Sequence, residues 1–366
     1  MVLGRPWKLA TIRGVPVLVD PSWVWIAALV TYSLWARFEA LHPNVGSMGA
    51  LAFALVGSFL FFGAVFLHEG AHAVAARGYG VEVQGITLVL FGGFTSARAD
   101  ARGPMPAFVI AAVGPATSLA LAGLFWGLSR LAEGSPTPMP GLFGYLGWVN
   151  VFMAVFNVLP GLPLDGGRML RALIWRASGR RETATRIAAW VGMGLGILLF
   201  GLAAFELSRG ETFQAVWLAI IGSFILQGAR ASDRYVAIER RLATGRVADA
   251  MEPAPPAIPA ELSLSEALDA FLRGHETETF PVVEGDRVVG VVSFGSAREL
   301  GAVDPLRPVR QATVPLDRVI VVGPEEPLDA VTERLGAERA ALVLDDGRLV
   351  GVITAGAAYR WALARR

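Results

Sequence analysis

Phe66-Leu67-His68-Glu69-Gly70-Ala71-His72-Ala73 lies at one end of an apolar run that covers about residues 48–77. On a helix the two histidines of this His-Glu-x-x-His pattern sit one turn apart on one face, with Cβ atoms ~5–6 Å apart, so both imidazoles can reach one metal ion. Glu69 projects ~100° round the same helix, placed to take a proton from water at such a metal rather than to bind the metal. Ionisable groups within an apolar span are costly enough to imply function. The chain has 4 histidines, so half of them fall in this one pattern. Its 366 residues contain 0 cysteines, which excludes disulfides, thiolate zinc sites, iron–sulfur clusters and cysteine nucleophiles. Any metal must therefore rest on histidine and carboxylate ligands.

Outward from that run the chain reads as a membrane protein. It is 54% hydrophobic and 17% charged, with a mean hydropathy of +0.52, against ~25% charged for an ordinary soluble domain. Six stretches are candidates to cross ~30 Å of hydrocarbon, at about 22–38, 48–77, 105–130, 142–160, 184–207 and 212–230. Basic residues alternate between their connections. Arg5, Lys8 and Arg13 precede the first, Arg77, Arg98 and Arg102 follow the second, and Arg168, Arg171, Arg176, Arg180, Arg181 and Arg186 follow the fourth. The connection at 39–47 has none, and the pattern predicts both termini in the cytoplasm. No small-residue cleavage site follows the first run, so it is expected to stay in the mature protein.

Two interruptions do not read as spans. Residues 80–98, with Ile86 to Phe91 and then Gly92-Gly93-Phe94-Thr95, predict a β-hairpin that protein must cover or that must lie at the interface. Leu159-Pro-Gly-Leu-Pro-Leu-Asp-Gly-Gly-Arg168 stops the fourth helix near the cytoplasmic face. A hydrolytic zinc needs a third protein ligand and one open position. His42 falls on the opposite side of the membrane and His275 in the tail, which leaves Asp165 at about the depth of His68. The same residue could instead cap a helix over 167–177. Asn157, two turns earlier, could aim its amide at the site as an oxyanion or substrate hydrogen-bond donor, although a buried helix–helix hydrogen bond would explain it, and Asn150, nearly as well.

These motifs resemble the site-2 protease family of intramembrane zinc metalloproteases. The resemblance rests on His68-Glu69-x-x-His72 in one membrane helix and on Asn157-x-x-Pro160-x-x-Pro163-Leu164-Asp165-Gly166-Gly167-Arg168 in a later one. Gly114-Pro115 and Phe91-Gly92-Gly93-Phe94 support it, over about residues 10–230. It implies His68, His72 and Asp165 as ligands of one Zn2+ per chain, Glu69 as general base, and Asn157 as a contact to the scissile region. It also implies a substrate that is itself a membrane protein, typically a tethered regulator cut within its transmembrane segment in regulated intramembrane proteolysis. A helical peptide bond is shielded by its own hydrogen bonds, so an unwound segment could pair with a strand of the 80–98 hairpin. Gly93 and Phe94 are the candidate contacts there.

Cutting the chain near residue 231 separates 16 basic and 10 acidic residues from 16 basic and 21 acidic ones. The spread of the basic residues along membrane-flanking loops gives nucleic-acid binding no support. The acidic part repeats itself at an offset of 61: Phe280-Pro-Val-Val-Glu-Gly-Asp-Arg-Val-Val-Gly-Val-Val-Ser293 aligns with Ala341-Leu-Val-Leu-Asp-Asp-Gly-Arg-Leu-Val-Gly-Val-Ile-Thr354. Helices are expected before each, around Leu264–Leu268 and Leu328–Val331. This half resembles a tandem pair of CBS domains, regulatory modules that often bind adenine nucleotides. Many CBS motifs carry an Asp three residues after this Ser or Thr, where this chain has Ser296 and Ala357. A homodimerisation or gating role is therefore as well supported as a nucleotide.

The expected fold is an α-helical polytopic membrane domain of about six transmembrane helices with a membrane-associated β-hairpin, plus a cytoplasmic α/β CBS pair. The expected boundaries are 1–231 for the protease domain, 232–244 for a linker, and 245–304 and 305–366 for the two CBS domains. The cell membrane is the expected location. The alternative function is a CBS-regulated ion transporter or channel, which would need matched interrupted spans in two repeats. No repeat is visible within 1–231.

Overall fold

The computed structural model describes residues 6–89, 92–97, 101–275, 278–336 and 340–364. Its backbone divides into two compact units, Met1–Asp233 and Arg234–Arg366.

The first unit opens with two strands, β1 (Trp7–Ile12) and β2 (Val15–Val19). Helices α1 (Trp23–Leu41) and α2 (Gly46–Gly78) follow, then β3 (Val83–Val89) and β4 (Gly92–Ala97). The remaining helices are α3 (Pro104–Leu131), α4 (Met139–Val158), α5 (Asp165–Ser178), α6 (Arg181–Ser208) and α7 (Thr212–Thr244). Among the described residues six helices are long and apolar enough to cross a membrane, which are all of these except α5. Each matches one of the six apolar stretches. Small residues let α2, α3 and α4 approach closely: Ala50, Ala54 and Ala64 pack with Leu142, Leu146 and Phe125 in one buried cluster. Many of the larger apolar side chains, such as Phe59, Leu131 and Phe213, point outward, as a lipid-facing surface requires.

The hairpin expected at 80–98 is present as β3 antiparallel to β4, with Leu88 opposite Gly93 and Thr87 opposite Phe94. It is not isolated. β2 pairs parallel with β3, so the order is β1-β2-β3-β4 and β4 ends the sheet. The strands at 7–19 carry no clear alternation in β1, whose residues are all exposed, and they were not anticipated from sequence. The sheet lies against α2 through Val15, Ala73 and Ile86, and through Val19, Val65 and Leu88. Backbone that would otherwise be unpaired in lipid is thereby bonded strand to strand.

The proline-glycine segment between α4 and α5 folds into a tight loop. Leu164 N donates to Gly161 O, and Leu162 N donates across to the Ala188 carbonyl of α6. Glycines make this possible. A Cβ at Gly166 would fall on the backbone of Val158 and Leu159, and one at Gly167 on that of Gly161 and Leu162. A Cβ at Gly192 on α6 would meet the Leu162 carbonyl, and one at Gly228 on α7 would lie 2.6 Å from Pro163 Cγ. The loop is therefore held on three sides by backbone, which fixes where α5 begins.

In the second unit, β5 (Ile258–Pro259), β6 (Thr279–Glu284), β7 (Arg287–Ser293) and β8 (Val314–Pro315) form one sheet. The other contains β9 (Val321–Val322), β10 (Ala340–Asp345) and β11 (Arg348–Thr354). The repeated segments are the two antiparallel pairs β6–β7 and β10–β11. Each sheet is covered by apolar residues from the other half of the sequence. Val247 and Ala250 join Val331, Val343 and Ile353, while Val309 and Ala312 join Ile258, Val282 and Val292. Residues 247–250 thus pack with the second repeat and residues 309–312 with the first.

Candidate metal centre

Three side chains from two distant segments meet inside the first unit. His68 and His72 are on α2, and Asp165 is the first residue of α5; all three are buried. The two Nε2 atoms are 3.3 Å apart, and Asp165 Oδ2 lies 3.2 Å from His68 Nε2 and 3.1 Å from His72 Nε2. Ligands ~2.0–2.1 Å from a tetrahedral zinc are about 3.3 Å from one another, so this triangle has the size of one face of such a site. The α5 helix starts at Asp165 with Leu164 as its cap residue. Asp165 is therefore not the cap of a helix over 167–177, and its carboxylate is turned to the imidazoles.

The far side of each ring is held as well. His72 Nδ1 donates to the Ile110 carbonyl at 2.6 Å, which leaves its Nε2 with a lone pair facing Asp165. His68 Nδ1 is 2.8 Å from Ser118 Oγ. Both partners are on α3, where Pro115 cannot supply the amide that the Ala111 carbonyl would otherwise accept. Burial pushes the Asp165 carboxyl up, but hydrogen bonds with His68 and His72, then the charges of His72 and Arg168, outweigh it and hold the group below the ordinary carboxylate range. It stays anionic, as a metal ligand would need to be.

The space between the three donors is bounded by Gly114. A Cβ built there would lie 2.8 Å from His68 Nε2 and closer still to His72 Nε2. The hollow that a methyl group would fill is one that both imidazole Nε2 atoms border. Donor chemistry, spacing and hollow all fit a zinc ion.

Of the other residues singled out from sequence, Glu69 is half-buried on α2 between the two histidines. Asn157 is half-buried, and its Nδ2 donates to the Met153 carbonyl one turn back in α4 instead of reaching the three ligands. Asn150 Nδ2 likewise donates to the Leu146 carbonyl, so both amides bond within their own helix among the described residues. Gly93 and Phe94 are in the edge strand β4, and their side chains lie outside the described residues. His42 follows α1 and is not part of the cluster, and His275 belongs to the second unit, where it pairs with Glu278. Ser118 and the Ile110 carbonyl had no signal in the sequence.

The model of peptidase family M50 matches residues 56–138 and 136–201, and the CBS domain model matches 247–300 and 309–362. The chain is 36% identical over 350 residues to Rip3 of Mycobacterium tuberculosis, named as a zinc metalloprotease, covering 92% of this chain and 88% of that one. It is 31% identical over 354 residues to sll0528 of Synechocystis, also named as a zinc metalloprotease, covering 94% and 92%. A solved site-2 protease from Methanocaldococcus jannaschii aligns at 23% identity and a TM-score of 0.45, over 63% of this chain and 95% of that one.

Proposed function

Because this chain belongs to peptidase family M50 and is a multi-pass membrane zinc metalloprotease with CBS domains, we propose that it hydrolyses a peptide bond within or beside a transmembrane segment of a membrane-tethered protein. The observation that carries the reading is the convergence of His68, His72 and Asp165 on one hollow beside a helix long enough to span the bilayer. A soluble peptide would have little access to it.

In this reading His68, His72 and Asp165 would hold one zinc, and Glu69 would take the proton from the attacking water and pass it to the leaving amine. Zinc when bound supplies a Lewis acid that polarises the scissile carbonyl and acidifies water. Asn157 would give up its bond to Met153 to meet the scissile region. The edge strand β4, through Gly93 and Phe94, would pair with the unwound substrate segment. The basic residues around α5 and after α7 support a cytoplasmic placement of both termini and of the CBS pair.

For the acidic half we propose CBS domains at 245–304 and 305–366, reached through 232–244, that gate or dimerise the enzyme. Helix α7 runs without a break from the last span to Thr244. Ser293 Oγ accepts from Ser296 N and Thr354 Oγ1 accepts from Ala357 N, so both hydroxyls at the motif positions cap helices. That supports gating or dimerisation over an adenine nucleotide. Family membership sets the transporter alternative aside.

A panel of single-span reporter proteins, reconstituted with the full chain in liposomes, tests the reading. Cleavage inside or next to the span, stopped by a zinc chelator and restored by added zinc, is the expected result. Equal cleavage of the same sequence as a free soluble peptide, or no reporter cut by zinc-loaded enzyme, would contradict it.

A further inference from the structure

We infer that Ser118 is a positioning residue for the metal site, orienting the His68 ring and accepting its Nδ1–H when Nε2 binds the metal; the inference rests on the reading of His68, His72 and Asp165 as zinc ligands. Ser118 Oγ is 2.8 Å from His68 Nδ1, and Ser118 is 0% and His68 4% exposed. The bond is shut off from the molecular surface.

The two ligand histidines are held differently. A backbone carbonyl can only accept, so Ile110 fixes the proton of His72 on Nδ1 whatever else changes. A hydroxyl can donate or accept, so Ser118 serves His68 in either tautomer. When His68 Nδ1–H donates to Ser118 Oγ, Nε2 is free to bind metal. When the proton is on Nε2, it can donate to Asp165 Oδ2 at 3.2 Å while the Ser118 hydroxyl donates to Nδ1. One side chain thus keeps His68 satisfied both with and without a metal, in a buried setting where an unpaired ring nitrogen is costly.

Without the hydroxyl, the Nδ1–H that metal binding at Nε2 requires of His68 loses its acceptor among the described residues. Loss of such an outer partner lowers metal affinity by roughly 10- to 100-fold. Volume must be separated from hydrogen bonding because the site is fully buried, so the comparison is Ser118→Thr with Ser118→Val. These two side chains differ in little but the hydroxyl.

The test titrates the metal-free full chain in detergent with Zn2+ alone, and with Co2+ to record the visible d–d bands. Ser118→Val is expected to bind Zn2+ roughly 10- to 100-fold more weakly than Ser118→Thr, with altered Co2+ bands, while Ser118→Thr keeps the wild-type band pattern. Equal Zn2+ affinity and equal Co2+ bands in the two variants would overturn the inference and leave Ser118 a packing residue. A difference between them only in melting temperature without metal would overturn it too. If the wild type takes up no metal where His72→Ala also takes up none, the zinc reading itself fails and this inference falls with it.

Discussion

Glu69→Gln is expected to abolish peptide cleavage while the protein keeps its full complement of zinc. In the proposed site the metal would rest on Nε2 of His68 and His72 and on Asp165 Oδ2, which lie 3.1–3.3 Å from one another, so no ligand would be lost with the carboxylate. Glutamine has the same shape and can still accept a hydrogen bond, but it cannot hold a proton between water and the leaving amine. Removing a general base costs about 10²- to 10⁴-fold in rate. Turnover of a membrane reporter and zinc per chain, measured on one preparation, separate the two effects. Normal turnover would sink the assigned role, and loss of zinc would show Glu69 to be a ligand.

Gly114→Ala should do the reverse, emptying the site while leaving the chain folded. Alanine is favoured over glycine in a helix interior by ~1 kcal/mol, so on propensity alone the variant would gain. Its methyl, however, would occupy the hollow between His68 Nε2 and His72 Nε2. Relieving an overpacked contact of this kind costs about 1–3 kcal/mol, and moving either ring breaks its bond to Ser118 or Ile110. A loss of zinc affinity of about 100-fold or more is the expected result. Gly123 on the same helix faces open space, so Gly123→Ala should keep its zinc. Equal zinc uptake by Gly114→Ala and Gly123→Ala would mean that the metal does not sit in that hollow.

The parts of this site that were legible in the sequence are those with strong local spacing. Histidines one turn apart with a glutamate between them, in a span where charge is expensive, can be read without a structure. Asp165 could be reached by depth and by exclusion of His42 and His275, because a proline-rich stop shows where a helix leaves the membrane. Ser118 could not: a single serine in an apolar helix has many uses, and its proximity to His68 is a matter of how α2 packs on α3. Gly114 was noticed only through the family resemblance, since nothing in its neighbours says that a backbone approaches a ligand pair there. The first two strands escaped notice because Trp7–Ile12 is short and exposed on both faces, so no period of two marks it. The packing within the second unit was equally hidden. The repeat shows which segments are alike, but not that Val247 and Val309 cross over to cover the other half's sheet.

The central claim is that His68, His72 and Asp165 hold one zinc, and metal analysis of the purified chain tests it without any substrate. Wild type in detergent should contain about one zinc per chain, with His72→Ala and Asp165→Ala both losing it, because a structural or catalytic zinc needs at least three protein ligands. Folded wild type that takes up no zinc even after reconstitution, or an Asp165→Ala variant that retains it with wild-type affinity, would contradict the account.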